Sequence, residues 1–366
     1  MKKVKLGEVA TYINGYAFKP TDWTDVGLPI IRIQDLTGTS YQTNRFNGVV
    51  AKKYLISNGD VLISWSASLG VYVWKGEKAV LNQHIFKVVF DRVKVNKKFF
   101  IYQVESVLKK ATGDVHGATM KHLTKPVFDA LPFVLPSLEE QKKIADSLDK
   151  VSSLIEKRKE QLSKLDQLIK SRFIEMFGDP VSNDKGWSHQ AMDKVAPSSA
   201  YSGVNSEKVW LLNLDMVEAQ TGRIIEYLYV DKEQVGNSTC GFDEGNVLYS
   251  KLRPYLNKVV VPNQNGYCTT ELVPLRPNEK LNRQFLAYLL RSDAFVSFIN
   301  EKVAGAKMPR VSMNVFREFE CILPPIELQN QFAVFVEQVD KSKLAIQKSI
   351  EKLETLKKSL MQQYFG

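Results

Sequence analysis

The sequence predicts an α+β fold: two similar, mixed α/β globular domains separated by two long helices, which pair as an antiparallel coiled coil with pseudo-two-fold symmetry. Three observations lead to this prediction: a duplication of the chain, two long apolar heptad patterns, and short β-branched runs bounded by turn residues. The predicted segments are a globular domain at 1–136, a central helical region at 137–178, a second globular domain at 179–323 and a C-terminal helical region at 324–366.

The duplication is visible as similar segments at a nearly constant displacement of 188 residues along the chain. A small drift in this displacement is what insertions in surface loops produce. Two copies of one plan, a globular domain followed by a helix, therefore fill the chain. The repeated pairs are KLDQLIKSRFIEMFG at 164–178 with KLETLKKSLMQQYFG at 352–366, LPSLEEQ at 135–141 with LPPIELQ at 323–329, and GDVLIS at 59–64 with GNVLYS at 245–250.

The helical regions are predicted from apolar residues that recur every 3.5 positions, a period that marks the contact seam of a coiled coil. Pro136 and Pro324 set the two starts, and Gly178 ends the first helix. Because neither stripe can remain exposed to water, we expect the helices to pair; the alternative is a helix buried within its own domain. The predicted seam consists of Ile144, Leu148, Val151, Ile155, Leu162, Leu165, Ile169, Phe332, Val336, Val339, Ile346, Ile350, Leu353 and Leu360.

The globular segments favour a mixture of short strands and a helix, because β-branched runs alternate with Gly, Asn and Asp. A longer helical pattern follows the strands in each copy, at Lys97–Leu108 and at Asn282–Phe298. The predicted strands are Pro29–Ile33, Gly59–Ile63, Leu69–Trp74 and Ile85–Phe90 in the first copy, and Val209–Leu214, Asn246–Tyr249 and Lys258–Val261 in the second.

The net charge of +10 is concentrated in the first globular domain. Residues 1–136 carry 19 Lys and Arg against 10 Asp and Glu, whereas residues 179–323 carry 16 against 17. A cationic domain attracts phosphate groups and releases counterions when it binds them. The near-neutral second domain must rely on local clusters of basic residues for any similar contact.

Several classes of protein are disfavoured by what the sequence lacks. It has no apolar stretch long enough to span a membrane, and its first residues are too polar for a signal peptide. We therefore expect a cytoplasmic protein. Cys240, Cys268 and Cys321 have no CxxC spacing, which argues against a zinc site and a disulfide framework. There is no phosphate-binding GxxxxGK[ST] loop, no dinucleotide fingerprint and no metal-ligand spacing among the four histidines. We therefore expect no catalysis, metal or cofactor in this chain.

The order of these motifs resembles that of the specificity subunits of type I restriction-modification systems, over essentially the whole chain. LPSLEEQKKIADSLDKV and LPPIELQNQFAVFVEQV are similar to the openings of that family's two conserved helical regions, and KLDQLIKSRFIEMFGDP is similar to the end of the central one. GDVLIS, GNVLYSKLRPYLNKV, LNQHI, GATMKHL and GAKMPRV resemble parts of the family's target-recognition domains.

The resemblance implies a non-catalytic protein that binds double-stranded DNA at a bipartite site, each globular domain reading one half. It also implies that two modification (methyltransferase) subunits dock on the helical spacer and that restriction (translocase and nuclease) subunits join them. S-adenosylmethionine and ATP are then expected on those partner subunits. Two other functions remain open at this stage: a coiled-coil structural adaptor that binds proteins rather than DNA, and a self-contained DNA enzyme.

Candidate DNA-binding residues are chosen by their chemistry, because Arg and Asn offer paired hydrogen-bonding groups to bases and Lys holds phosphates. The alternatives are solvated strand faces and loops, core packing for Trp65, and turn caps for the Asp residues beside Gln34 and Asn213. The candidates are Gln34, Ser64, Trp65, Ser66, Gln83, His84, His116, Lys121 and His122 in the first domain, and Asn213, Lys251, Arg253, Tyr255, Asn257, Lys258, Lys307 and Arg310 in the second.

Overall fold

The computed structural model divides into two compact units, which each contain one globular domain and part of both long helices. The first unit comprises residues 1–157 with 350–366, and the second comprises residues 158–349. The residues that the structure describes are 2–66, 68–113, 123–204, 206–303 and 308–366.

The first unit contains short strands and helices, followed by a long helix that continues into the second unit. Its strands are β1 (Lys2–Lys5), β2 (Thr11–Asn14), β3 (Leu28–Ile31), β4 (Arg45–Phe46), β5 (Leu55–Ile56), β6 (Val61–Ser64), β7 (Gly70–Val73), β8 (Ala79–Leu81), β9 (Ile85–Val89) and β10 (Pro132–Leu135). Its helices are α1 (Leu6–Val9), α2 (Ile33–Thr37), α3 (Lys97–Gly113), α4 (Lys125–Ala130) and the long α5 (Leu138–Phe177).

The second unit follows a similar order of elements. Its strands are β11 (His189–Ala191), β12 (Lys208–Leu212), β13 (Leu228–Asp231), β14 (Thr239–Phe242), β15 (Val247–Ser250), β16 (Val259–Val260), β17 (Gly266–Thr269), β18 (Leu272–Leu275) and β19 (Glu320–Ile322). Its helices are α6 (Met192–Val195), α7 (Arg283–Arg291), α8 (Asp293–Lys302), α9 (Met313–Arg317) and the long α10 (Ile326–Phe365), whose last turns belong to the first unit.

The sheets show that the duplication extends to topology. The order β4-β3-β8-β5 in the first unit corresponds to β13-β12-β17-β14 in the second, and in both the central two strands are parallel. The order β9-β6-β7 corresponds to β18-β15-β16, and β1 pairs with β10 as β11 pairs with β19. The prediction of two similar mixed α/β domains is therefore confirmed.

Two local features differ from the sequence-based expectation. The helical pattern at Asn282–Phe298 is two helices, because Ser292 adopts an extended backbone and its side chain caps α8 by accepting from the Phe295 N–H at 3.2 Å. The β1·β10 and β11·β19 ladders were not predicted, since runs of three or four residues such as His189–Ala191 carry no clear alternation.

Helices α5 and α10 pack together in opposite directions. In the second unit, Asp166 Oδ1 of α5 lies 2.6 Å from Lys343 Nζ of α10, and the rings of Phe173 and Phe332 lie 5.5 Å apart. The residue number therefore rises along one helix as it falls along the other. In the first unit, Phe365 in the last turn of α10 shares a core with Ile144, near the start of α5. The predicted antiparallel pair is confirmed.

The predicted seam residues are buried to different degrees. The helices also enter the cores of the globular domains. The apolar stripe of each helix therefore serves both pairing with the other helix and burial within a globular domain. The fully buried members are Ile144, Leu148, Val151, Ile155, Ile169, Phe332, Val336, Val339 and Ile350, and the half-buried members are Leu162, Leu165, Ile346, Leu353 and Leu360.

The repeated LPxxxxQ motif is explained by a buried glutamine at the start of each long helix. The Gln329 side chain donates to the carbonyls of Lys280 and Pro324 at 3.0 and 2.8 Å, and it accepts from the Asn282 N–H at 2.9 Å. Gln141 does the same in the first unit, donating to the Pro136 carbonyl and accepting from a backbone N–H. Each glutamine therefore ties the start of a long helix to the residue just before an earlier helix, α3 in the first unit and α7 in the second.

Replacing Gln329 with alanine is expected to lower the free energy of unfolding by about 1–3 kcal/mol, because it leaves a buried N–H and two carbonyls without partners. Chemical denaturation followed by circular dichroism measures the change. Gln331→Ala is the matched control, since Gln331 is exposed on the same helix. Equal stability of the two variants would contradict this role.

The cysteines are free thiols in the structure, as the sequence indicates. Cys321 is fully buried, and burial raises the pKa of its thiol to about 12, which keeps it in the unreactive protonated form. Cys240 faces Cys268 across the β14·β17 ladder, with the sulfur atoms 3.5 Å apart. In the described ranges, no helix is both long and apolar enough to cross a membrane.

Candidate nucleic-acid interface

Three segments of the second domain meet beyond the end of β15. The Lys251 N–H donates to the Glu271 carbonyl at 3.0 Å, and the Lys251 carbonyl accepts from the Val311 N–H at 2.8 Å. The Arg253 N–H donates to the Pro309 carbonyl at 2.8 Å. The segment 250–258 and residues 308–311, the described part of the second segment that the sequence predicts to bind DNA, therefore form one surface with the turn between β17 and β18. We call this surface, which comprises Lys251, Arg253, Tyr255, Glu271 and Arg310, the β15 surface.

The backbone of the β15 surface is held in an unusual conformation. Arg253 and Asn257 both have positive φ angles, of +50° and +49°, and they flank a 3₁₀ turn at Pro254–Leu256. Such left-handed residues are costly unless the surrounding structure enforces them, and they concentrate at functional sites. The turn leaves the side chains of Arg253 and Tyr255 exposed. The Tyr255 carbonyl is fixed by the Gln220 side chain at 2.9 Å.

Asn257 and Lys258, which the same polar run suggested as DNA ligands, turn inward instead. Asn257 is 4% exposed, and its amide donates to the Arg291 carbonyl at 2.9 Å. Lys258 Nζ donates to the Leu214 carbonyl at 2.8 Å, and burial lowers the pKa of its amine although Asp215 opposes the shift. Asn257 is therefore a structural residue and not a reader of bases, and Lys258 has a structural bond of its own.

Glu271 is a member of the β15 surface that sequence reasoning missed. Its Oε1 lies 2.7 Å from a terminal nitrogen of the Arg310 guanidinium, and its Oε2 is buried with no hydrogen-bond partner in the described parts of the chain. It belongs to no motif. The one available signal is the duplication, because the residue 187 positions earlier is His84, itself a predicted site residue.

The first domain brings its corresponding segments together through similar bonds. The Trp65 N–H donates to the His84 carbonyl at 3.4 Å, and the Trp65 carbonyl accepts from the Leu123 N–H at 3.0 Å. The Trp65 and His84 rings lie 5.4 Å apart, edge to face. The same backbone frame therefore carries Trp65 and His84 in the first domain where it carries Lys251 and Glu271 in the second.

Trp65 is half-buried and packs as the core alternative indicates. Its ring stacks on Phe86 with a centroid distance of 5.8 Å, and its Nε1 donates to Asn14 Oδ1 at 3.1 Å. The neighbouring Ser64 and Ser66 are 0% and 6% exposed. Ser64, the last residue of β6, donates its hydroxyl to the Ser68 carbonyl. Both serines are buried, so the prediction that they present hydroxyls to DNA is corrected.

The remaining predicted residues lie elsewhere or are not described. Gln34 is exposed in α2, where the neighbouring Asp35 accepts the Arg32 N–H at 2.8 Å, as a capping residue does. Asn213 is half-buried between β12 and a 3₁₀ turn. Gln83 lies beside His84, with side-chain nitrogens 3.4 Å apart. Outside the described residues lie His116, Lys121, His122 and Lys307.

The surfaces described so far offer hydrogen-bonding groups rather than reactive ones. Among the residues with described positions, no group of three or more His, Cys, Asp or Glu side chains is placed to hold a metal ion. The exposed side chains of Arg253 and Arg310 and the partly exposed side chain of Lys251 suit recognition of phosphates and base edges. The arrangement defines a class of protein: a duplicated chain whose two α/β domains present different side chains on the same frame, joined by paired helices.

The chain belongs to the family of type I restriction-modification DNA specificity domains, whose family model matches residues 1–166 and 215–357. The resemblance found in the sequence motifs is thereby confirmed. The chain is similar to the MjaVIII specificity subunit of Methanocaldococcus jannaschii, with 23% identity over 98% of this chain and 90% of the relative. It is also similar to two Escherichia coli specificity subunits, EcoDI, with 22% identity over 83% of this chain and 77% of the relative, and EcoBI, with 28% identity over 46% and 36%.

Solved structures support the same fold. The type I restriction-modification S subunit from M. genitalium aligns over 100% of this chain and 96% of its own, with a TM-score of 0.57 and 14% identity. A chain from a structure of the type I restriction-modification system aligns over 100% and 97%, with a TM-score of 0.55 and 17% identity. The relatives are specificity subunits, so family membership favours DNA recognition over the coiled-coil adaptor.

Proposed function

We propose that this chain is the sequence-specific DNA-binding subunit of a type I restriction-modification complex. Each globular domain reads one half of a bipartite site in double-stranded DNA, and the paired helices dock two modification subunits. Restriction subunits join this complex. The chain itself is non-catalytic and acts in the cytoplasm, and its partners hold S-adenosylmethionine and ATP.

One observation carries the proposal: both domains use the same backbone frame to hold different side chains, Lys251 and Glu271 in one and Trp65 and His84 in the other. The Lys251 carbonyl accepts from Val311 in one domain, and the Trp65 carbonyl accepts from Leu123 in the other. A duplicated frame with divergent side chains is what reading two unlike half-sites requires, since direct readout depends on side-chain donors and acceptors. The second domain is nearly neutral, but its exposed Arg253 side chain supports a role in DNA binding.

The charge of the first domain supports contact with the phosphate backbone. Its excess of nine positive charges, 19 against 10, supplies the attraction that is independent of sequence and that weakens as salt rises. His84, which is exposed on the backbone frame of this domain, then supplies a more selective group. We therefore expect the first domain to contribute more of the salt dependence of binding, and the second domain to depend on fewer, local contacts.

Mapping methylated adenines across the host genome tests the proposal. In the wild-type strain we expect methylation at a motif of two short half-sites separated by a fixed gap. Deletion of this gene should abolish methylation at that motif, and complementation should restore it. Methylation that persists unchanged after deletion would refute the proposed function.

A further inference from the structure

Arg310 and Glu271 form an asymmetric ion pair on the β15 surface. The Arg310 side chain is 62% exposed, whereas the Glu271 side chain is 22% exposed, with 2.7 Å between them. The carboxylate is therefore set back in the domain and the guanidinium projects outward. Because water screens the exposed guanidinium, the attraction between the two charges adds little stability, and stability alone does not account for the pair.

Both members of the pair are anchored by backbone contacts. The Glu271 carbonyl accepts from the Lys251 N–H at 3.0 Å, and Arg310 forms an antiparallel bridge with Leu252. Glu271 immediately precedes β18, and Val311, which follows Arg310, is 5% exposed. The backbone of both residues is therefore bonded to neighbouring segments of the domain, and precise recognition requires such support.

The Arg310–Glu271 pair differs from another ion pair of the same domain in the number of bonds that hold the guanidinium. Arg223 is held by both carboxylate oxygens of Glu218, at 2.9 and 3.2 Å, and Thr221 donates to the same carboxylate. Glu218 is thus satisfied on both oxygens. Glu271, by contrast, contacts Arg310 through Oε1, and its Oε2 has no hydrogen-bond partner among the described residues. The described contacts thus include one guanidinium nitrogen of Arg310 and not the paired, two-oxygen grip seen at Arg223.

We propose that Arg310 reads a guanine in the half-site of the second domain and that Glu271 is the positioning residue that orients it. This inference rests on the proposed function. Arginine carries five N–H donors, and a pair of them matches the O6 and N7 acceptors of guanine in the major groove. One terminal nitrogen is bound to Glu271, which fixes the plane of the guanidinium and leaves an outward-facing edge for the base. Lys251, whose N–H donates to the Glu271 carbonyl, lies beside the pair and holds an adjacent phosphate.

The experiment compares genome methylation motifs in strains that express the full complex with wild type, Glu271→Gln or Arg310→Lys. Glutamine keeps the size of the glutamate side chain but removes its charge, and lysine keeps the positive charge of Arg310 but removes the planar fork. The matched control is Glu320→Gln, because Glu320 also pairs with a basic side chain, that of His189 at 2.7 Å, in the β11·β19 ladder.

We expect both variants to relax one G·C position in one half-site, with the preference for guanine there falling by about tenfold. The other half-site should be unchanged, and Glu320→Gln should keep the wild-type motif. Binding of the purified complexes to single-base variants of the mapped site, at fixed salt, gives the fold-change directly. Thermal unfolding of each complex establishes that it is folded, and if Glu271→Gln is not, Arg310→Lys decides.

An unchanged motif in both variants would overturn the inference while leaving the proposed function intact, since the wild-type motif would still depend on this gene. Relaxation at an A·T position, or at positions in both half-sites, would also overturn it. By contrast, if methylation at the wild-type motif persisted after deletion of the gene, the proposed function itself would be refuted. The two failures are therefore distinguishable.

Discussion

Replacing Phe332 with alanine is expected to lower the free energy of unfolding by about 3–5 kcal/mol, the range for truncating a buried aromatic side chain. Phe332 is fully buried in the second unit, and its ring lies 5.5 Å from those of Phe173 and Phe177 and 5.4 Å from that of Tyr288. These neighbours come from α5 and α7, so one side chain joins both long helices to the globular domain. The loss includes the transfer free energy of the ring and a cavity that the paired helices cannot easily close.

Thermal unfolding monitored by calorimetry measures the effect of Phe332→Ala. For a unit of this size, a loss of this magnitude corresponds to a decrease in melting temperature of roughly 10 °C. Val334→Ala is the matched control, since Val334 is 54% exposed on the same helix and its loss should change stability by less than about 0.5 kcal/mol. A Phe332→Ala protein that melts within a degree of wild type would show that this cluster does not join the helices to the domain.

The architecture was predictable because its signals are periodic and duplicated. The repeated FG at the end of each helix corresponds to Phe177 and Phe365, which are 0% and 7% exposed in the cores of the two units. The glutamines of the LPxxxxQ motif have equivalent buried positions. Such residues repeat in the sequence because each copy must solve the same packing problem.

The recognition surfaces were less predictable, because their chemistry depends on turn geometry and on contacts between distant segments. Arg253 and Asn257 lie four positions apart in one polar run, yet the first is exposed and the second is 4% exposed. The two side chains point in different directions because both residues have left-handed backbone conformations. Neither residue is a glycine, so the sequence does not indicate this turn. Glu271 becomes a candidate only when its contact with Arg310, 39 residues away, is known.

Replacing Arg253 with alanine is expected to weaken binding of the cognate bipartite site by about 10–100-fold, the range for losing a good arginine contact to a base. Arg253 is exposed, and its backbone is fixed both by the bond to the Pro309 carbonyl and by the 3₁₀ turn that follows. Because the backbone is already fixed, binding has only the arginine side chain itself to order. Assembly with the modification subunits should be unchanged, because Arg253 lies on the globular domain and not on the long helices.

The matched control for Arg253→Ala is Arg317→Ala, which removes the same charge from an exposed position on α9, an element that packs beside α6. Titration of the reconstituted complex with cognate and unrelated duplexes, at several salt concentrations, separates two contributions. Loss of a base contact lowers the ratio of specific to non-specific affinity. Loss of a phosphate contact weakens specific and non-specific affinity alike, and it reduces the number of counterions released on binding by about one. We expect the ratio to fall for Arg253→Ala and to stay constant for Arg317→Ala. Unchanged cognate binding and methylation in Arg253→Ala would show that the β15 surface does not face the DNA.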